Sequence, residues 1–174
     1  AAPMEDDVKN INGRNRDYLL TAWYAHLFEF GDEGVLQLSA GIIDATDYLD
    51  QNAFSNDEHT QFMNEALVNA ANTVFPSFDL GGAALLNVGH FEVAVVGMNI
   101  EENDDGNGYN FYGAEFEYEL ESSLGDGVYR IIPGFTTEAF LDPAGLEKQS
   151  RYMLIFSFDQ EFGENFGAWV RFGV

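Results

Sequence analysis

Residues Phe111–Leu120 read FYGAEFEYEL. The even positions hold Tyr112, Ala114, Phe116, Tyr118 and Leu120, and the odd positions include Glu115, Glu117 and Glu119. A period of two belongs to an extended strand, whose side chains point alternately to opposite faces. One face of this strand is therefore apolar and the other carries three carboxylates. Two settings suit it. In a soluble antiparallel sheet the apolar face meets a protein core and the acids meet water. In a transmembrane barrel the apolar face meets lipid and the acids meet a wet lumen. The choice depends on whether the rest of the chain repeats the pattern at bilayer-spanning length.

Composition narrows the classes. The 174 residues suffice for one domain with a sizeable core. Seven Lys plus Arg against 30 Asp plus Glu give a formal net charge of −23, which repels phosphate backbones and argues against nucleic acid as a partner. There is no cysteine, so thiolate and disulfide chemistry are absent. Sixteen Phe, 8 Tyr and 18 Gly beside so many acids resemble a barrel that is greasy outside and wet inside. No stretch approaches 18 uninterrupted apolar residues, so a transmembrane helix is not expected. The opening AAPMEDDVKN has no apolar core of a signal peptide, and the chain is expected to be mature or to begin inside a longer one.

Moving outward from 111–120, residues 1–17 read as loop or tail. Strands are expected over 18–30, with His26 interrupting the apolar side, and over 34–44, the two forming a hairpin. Residues 45–77 differ. Acidic turn residues lead into SNDEHTQFMNEALVNA, where Phe62, Ala66 and Asn69 recur at helical spacing, and Ser55 with Glu58 fits a capping box. A short helix in a long loop follows. Further strands are expected over 78–89, 91–102, 128–138, 151–162 and 166–174, with Pro133 marking a bulge or a weak point.

Eight strands of roughly 9–13 residues exceed the ~5–6 usual in globular sheets and match the ~9–11 that cross a bilayer at a tilt. Connections alternate between short and long, apart from SSLGDG, as they do in outer-membrane barrels. The expected fold is thus all-β, an antiparallel transmembrane β-barrel occupying residues 1–174 as one barrel domain or segment. Parity places both chain ends on the long-loop rim. That fits a complete eight-strand barrel badly and an internal segment of a larger one well.

Residues 16–85 also resemble the carbohydrate-selective porin (OprB) family of bacterial outer membranes. The likeness lies in the Tyr-rich first strand, the Gly41–Tyr48 segment G-x-x-D-A-x-x-Y, the run Asn56–Phe62 and the re-entry Pro76–Gly82. The resemblance implies a 16-stranded sugar channel with in-folded loops and a chain well over twice this length.

Candidate pore-lining residues are Glu115, Glu117, Glu119, Arg130, Arg151, Asp159, Glu161, Trp169 and Arg171. Candidate constriction-loop residues are Asp47, Tyr48, Asp50, Asp57, Glu58, His59 and Gln61. Acids outnumber bases, so the pore is expected to prefer cations, whereas the family's channels are associated with Arg-rich constrictions. Acids that simply solvate a polar face are the plainer alternative.

Asp44, Asp47, Asp50, Asp57 and Glu58 offer oxygen ligands that calcium would accept, yet a solvated acidic turn accounts for them equally. NDDGNG at 103–108 lacks the Glu that a calcium loop needs at its twelfth position, and reads as a hairpin loop. His26, His59 and His90 have no zinc-site spacing. No metal or cofactor is expected.

Glu115 and Glu117 could imitate a glycosidase pair, but no base, nucleophile or phosphate loop accompanies them, and enzyme activity is not expected. The expectation is an outer-membrane porin that passes small hydrophilic solutes, sugars or cations, with outer-membrane lipid as its surroundings and a homotrimer as its assembly. Two rivals stand beside it. One is a complete small eight-stranded barrel with a structural or adhesion role, which requires closure of 18–30 on 166–174. The other is a soluble ligand-binding β-barrel or a phospholipase-like enzyme, which requires an apolar interior.

Overall fold

The computed structural model describes residues 11–14, 19–31, 33–57, 60–62, 64–68, 70, 72–73 and 75–174. Ten strands form. They are β1 (Ala22–Phe30), β2 (Gly34–Ile43), β3 (Asp79–Val88), β4 (Phe91–Ile100), β5 (Tyr109–Leu120), β6 (Gly127–Thr136), β7 (Phe140–Leu141), β8 (Lys148–Gln149), β9 (Tyr152–Phe162) and β10 (Phe166–Gly173). Eight of them make one sheet in the order β1-β2-β3-β4-β5-β6-β9-β10, and β7 pairs with β8 in a small hairpin. Every ladder is antiparallel.

The turns explain the meander. Gly89 and His90 join β3 to β4, and Gly89 takes a φ of 58° that suits glycine in a two-residue hairpin. The connections β1–β2, β3–β4, β5–β6 and β9–β10 lie at one rim, and the longer ones that follow β2, β4 and β6 lie at the other. Pro133 neither ends β6 nor makes a bulge, since Pro133 faces Leu154 in a register that runs unbroken from Gly127 to Phe135. On the β5 side the paired positions skip from Gly113–Gly134 to Phe116–Ile131, as expected beside a residue with no N–H.

The alternation of β5 extends across the whole sheet. Phe28, Leu36, Leu86, Val93, Phe116, Ile131, Phe156 and Phe172 stand in one cross-strand row. Displaced by one residue, on the opposite face, lies the row Glu29, Val35, Asn87, Glu92, Glu117, Arg130, Ser157 and Arg171. The apolar face is the bare one. Phe116 is 53% exposed, whereas Glu115 beside it is 1% exposed. A one-residue slip in any ladder would send apolar side chains to the charged face, so the pattern fixes the register.

Two expectations need correction. The sheet is open rather than closed into a barrel, because β1 and β10 are its two edges and no ladder joins them. The sign of a complete eight-strand barrel is therefore absent. The short helix expected in the long loop is α1 (Glu65–Val68), but Ser55 does not start it. Ser55 is buried with its hydroxyl on the Leu67 carbonyl, so it ties loop to loop instead of capping a helix start; the other half of the expected box, Glu58, lies outside the described residues. The capping signal that does operate is Asp44, whose carboxylate accepts from the Thr46 backbone N–H at 2.9 Å and starts a 3-10 turn over Ala45–Asp47.

The described residues of the 44–78 connection fold over the charged face. Their Ala45, Tyr48, Leu49, Ala70 and Phe75 are buried against Ile43, Ala94, Val96, Met98, Ile100, Phe111, Ile132 and Ile155 of the sheet. The long-loop half of that face is thus a dry core sealed by the loop, where the sequence suggests a face open to water throughout. Hydrophobic burial supplies the cause, since Leu49 and Phe75 leave water there together with the apolar side chains they cover.

Candidate functional site

Where the loop meets the sheet, two arginines organise the acids. Arg130 on β6 is 3% exposed and reaches three carboxylates. Its Nε lies 2.7 Å from Glu117 Oε2 and 3.8 Å from Glu115 Oε1, and its Nη1 donates to Asp159. Cross-strand register puts Glu117 directly opposite Arg130, so the β5 alternation itself positions this pair. Glu115 is held from the loop side as well, accepting the Asp50 backbone N–H at 2.6 Å.

Arg171 on edge strand β10 does the same work for the loop. Its Nη2 donates to the Ser55 carbonyl at 2.7 Å, and its Nη1 to the Val68 carbonyl at 2.8 Å and to Ser55 Oγ at 3.2 Å. Its Nε sits 2.8 Å from Asp50 Oδ2 as an ion pair, without the alignment of a hydrogen bond. Asp50 is 1% exposed and adopts a left-handed backbone, φ 61°, which turns its N–H to Glu115 while its carboxylate faces Arg171. Burial pushes the Asp50 carboxyl above the usual range, opposed by the Arg171 guanidinium. A planar fork with five donors is the group that can gather one carboxylate and several carbonyls at once.

Not all the candidates gather here. Glu115, Glu117, Arg130, Asp159, Arg171 and Asp50 converge. Trp169 flanks them, half-buried, with the Phe62 ring edge-on at 5.9 Å. Glu119 and Glu161 are exposed towards the short-turn rim. Arg151 stands apart at the long-loop rim, its guanidinium 3.9 Å above the Phe140 ring.

Among the loop candidates Tyr48 is core and Asp47 is exposed. Asp57 accepts from the Thr60 hydroxyl. Gln61 closes a turn by accepting from the Asn56 N–H at 2.6 Å and donating to the Ala53 carbonyl at 2.8 Å. Glu58 and His59 lie outside the described residues. Among the described residues no group of three or more His, Asp and Glu side chains is placed to hold a metal ion.

Several organising residues carry no sequence signal. Asn52, 2% exposed, accepts the N–H groups of Phe54 and Ser55 at 3.1 Å each and donates to Ser157, which is fully buried. Arg14 lies in the stretch read as tail, yet it clamps the rim: its Nε is 2.8 Å from Asp79 Oδ1 and its Nη2 reaches Asn99 Oδ1 at 2.9 Å. The scarcity of basic residues was the available clue, since each arginine in so acidic a chain has many carboxylates to choose from. Gly113 on β5 lies against the loop, and a Cβ there would stand 2.8 Å from Leu49 Cδ1 and 2.9 Å from the Phe111 ring. Gly113→Ala is expected to destabilise the fold by about 1–3 kcal/mol through overpacking, read as a lower denaturation midpoint, while Gly97→Ala, with nothing nearer than 3.6 Å, changes little.

No family model matches the chain, and no solved structure matches it. A protein of Aquifex aeolicus (strain VF5), described as an uncharacterized protein, is 32% identical over 173 residues, covering 99% of this chain and 48% of the relative. The chain thus spans about half the length of the relative it matches.

Proposed function

We propose that the chain is part of an outer-membrane diffusion channel for small hydrophilic solutes, of the carbohydrate-selective porin type, with residues 45–77 as an in-folded loop narrowing the lumen. The carrying observation is that the sheet is inside out for a protein in water: a complete apolar row crosses all eight strands on the bare face, and the buried charges lie on the other. A contiguous apolar surface of this extent marks contact with another apolar phase.

Aromatic side chains support lipid as that phase. Phe91, Tyr118, Tyr129 and Phe158 form one belt towards the short-turn rim, and Tyr112, Phe135 and Tyr152 form another towards the long-loop rim. Tyr112 and Tyr118 are separated along β5 by roughly 20 Å at ~3.3 Å per residue, in keeping with aromatic girdles that flank an apolar band. Open edges at β1 and β10 call for further strands, and eight strands in half the length of a relative accord with a total of sixteen. Selectivity then follows from lumen width and lining charge without cofactor or turnover.

The test is conductance of the full-length polypeptide in planar bilayers. Discrete channels that favour cations are expected, and replacing Glu117, Glu119 and Glu161 by glutamine is expected to lower the cation preference. Absence of channels, or selectivity indifferent to the three substitutions, would overturn the reading.

A further inference from the structure

Arg151 lies outside the charged wall just described, and its surroundings differ in kind. Its backbone is fixed to β6, where its N–H donates to Thr136 Oγ1 at 2.9 Å and its carbonyl accepts the Thr136 N–H at 2.9 Å. Its guanidinium lies 3.9 Å over the Phe140 ring, and that ring meets Tyr109 edge-on at 4.9 Å. The ring covers one side of the guanidinium. Among the described residues no carboxylate stands within ion-pair distance of Arg151, although the chain carries 30 acids.

Two cavities meet at this stack. One, of about 200 Å³, is walled by Phe111, Phe135 and Met153 with the polar groups of Asn72, Thr73 and Thr136. The other, of about 480 Å³, contains Glu102, Asp104 and Asp105. Tyr109, Phe140 and Arg151 line both. A ligand lying across the stack would therefore meet an apolar wall, a flat cation and an acidic wall in sequence.

We infer that this rim site binds a small zwitterion, an α-amino acid with an apolar side chain, its carboxylate forked by Arg151, its side chain in the apolar cavity and its ammonium towards Glu102, Asp104 and Asp105. Fork-to-fork pairing with a carboxylate is what a stacked guanidinium is shaped for. A simple anion would meet the nearby acids and the −23 charge of the chain unfavourably; a simple cation would leave Arg151 unanswered and bring like charges together. Zero net charge with separated ends satisfies both halves. The smaller cavity has space for a ring-sized side chain, given that one water takes ~30 Å³.

The inference is independent of conduction and is tested by binding. The full-length polypeptide in detergent is titrated at pH 7 with L-phenylalanine, 3-phenylpropanoate and phenethylamine, followed by calorimetry. L-Phenylalanine is expected to bind at least tenfold more tightly than either singly charged analogue, and Arg151→Gln to weaken it at least tenfold with the β-sheet circular dichroism unchanged. Phe140→Leu, which removes the platform and keeps the charge, is expected to weaken it to a lesser degree. No binding of L-phenylalanine, equal binding of phenethylamine, or an Arg151→Gln protein that binds as before would overturn the assignment; if Arg151→Gln fails to fold, the comparison of the three ligands on the unaltered protein decides.

Discussion

Arg171→Met is expected to lower stability by about 3–5 kcal/mol, the range for removing one partner of a buried ion pair, and to loosen residues 45–77 from the sheet. The side chain is 3% exposed and Asp50 opposite it is 1% exposed, so the carboxylate would stay behind in a dry place without its ion-pair partner. Methionine fills the volume but offers nothing to the Ser55 and Val68 carbonyls, which Arg171 serves at 2.7 and 2.8 Å. A lower denaturation midpoint in detergent, with new protease cleavage between 45 and 77, is the expected result. Lysine at the same position should restore little, since a single ammonium cannot reach the carboxylate and two carbonyls together. Asp50→Asn with Arg171→Met should recover part of the loss, because the stranded charge is then gone.

Arg130→Met is expected to cost a similar amount, again about 3–5 kcal/mol, through a different mechanism. Here three carboxylates, Glu115, Glu117 and Asp159, converge on one guanidinium. Removing it leaves like charges on β5 and β9 facing each other across β6. Adding Glu117→Gln and Asp159→Asn to Arg130→Met should return most of the stability; if it does not, packing around the aliphatic stem of Arg130 outweighs charge. The two arginines thus divide the labour. Arg130 balances the wall within the sheet, and Arg171 attaches the loop to it.

How much of this was legible before any coordinates depends on the range of the interaction. Alternation in residues 111–120 names both the strand and its two faces, because side-chain direction in an extended chain is a local property. The same logic recovers all eight long strands of the sheet and the contrast between short and long rims. Helical spacing in the loop does announce a short helix, α1, but the Ser55 cap misleads, since its hydroxyl turns to the Leu67 carbonyl. Tertiary contacts routinely override such weak local preferences.

The charged wall was half legible. Glu117 and Arg130 fall on the correct face by parity, but nothing local places Asp50 beside Arg171 or Asn52 beside Ser157, pairs separated by more than a hundred residues. Arg14 is a further case, read as tail because its neighbours lack periodicity, while its partner Asp79 lies 65 residues away. Whether the sheet closes is likewise invisible to alternation, which repeats identically in an open sheet and a barrel. Edge strands reveal it only through missing partners.

On the proposed function the bare face meets hydrocarbon and the charged face does not. The 174 residues contain no cysteine, so labels can be placed among them one position at a time. Single cysteines placed at each position from 111 to 120 of the full-length polypeptide, spin-labelled and reconstituted in bilayers, report their collisions with oxygen, which concentrates in lipid, and with a water-soluble nickel chelate. A period of two is expected, with high oxygen and low nickel accessibility at 112, 114, 116, 118 and 120 and the reverse contrast at 117 and 119. Nickel accessibility at 116 and 118 equal to that at 117 and 119 would contradict it.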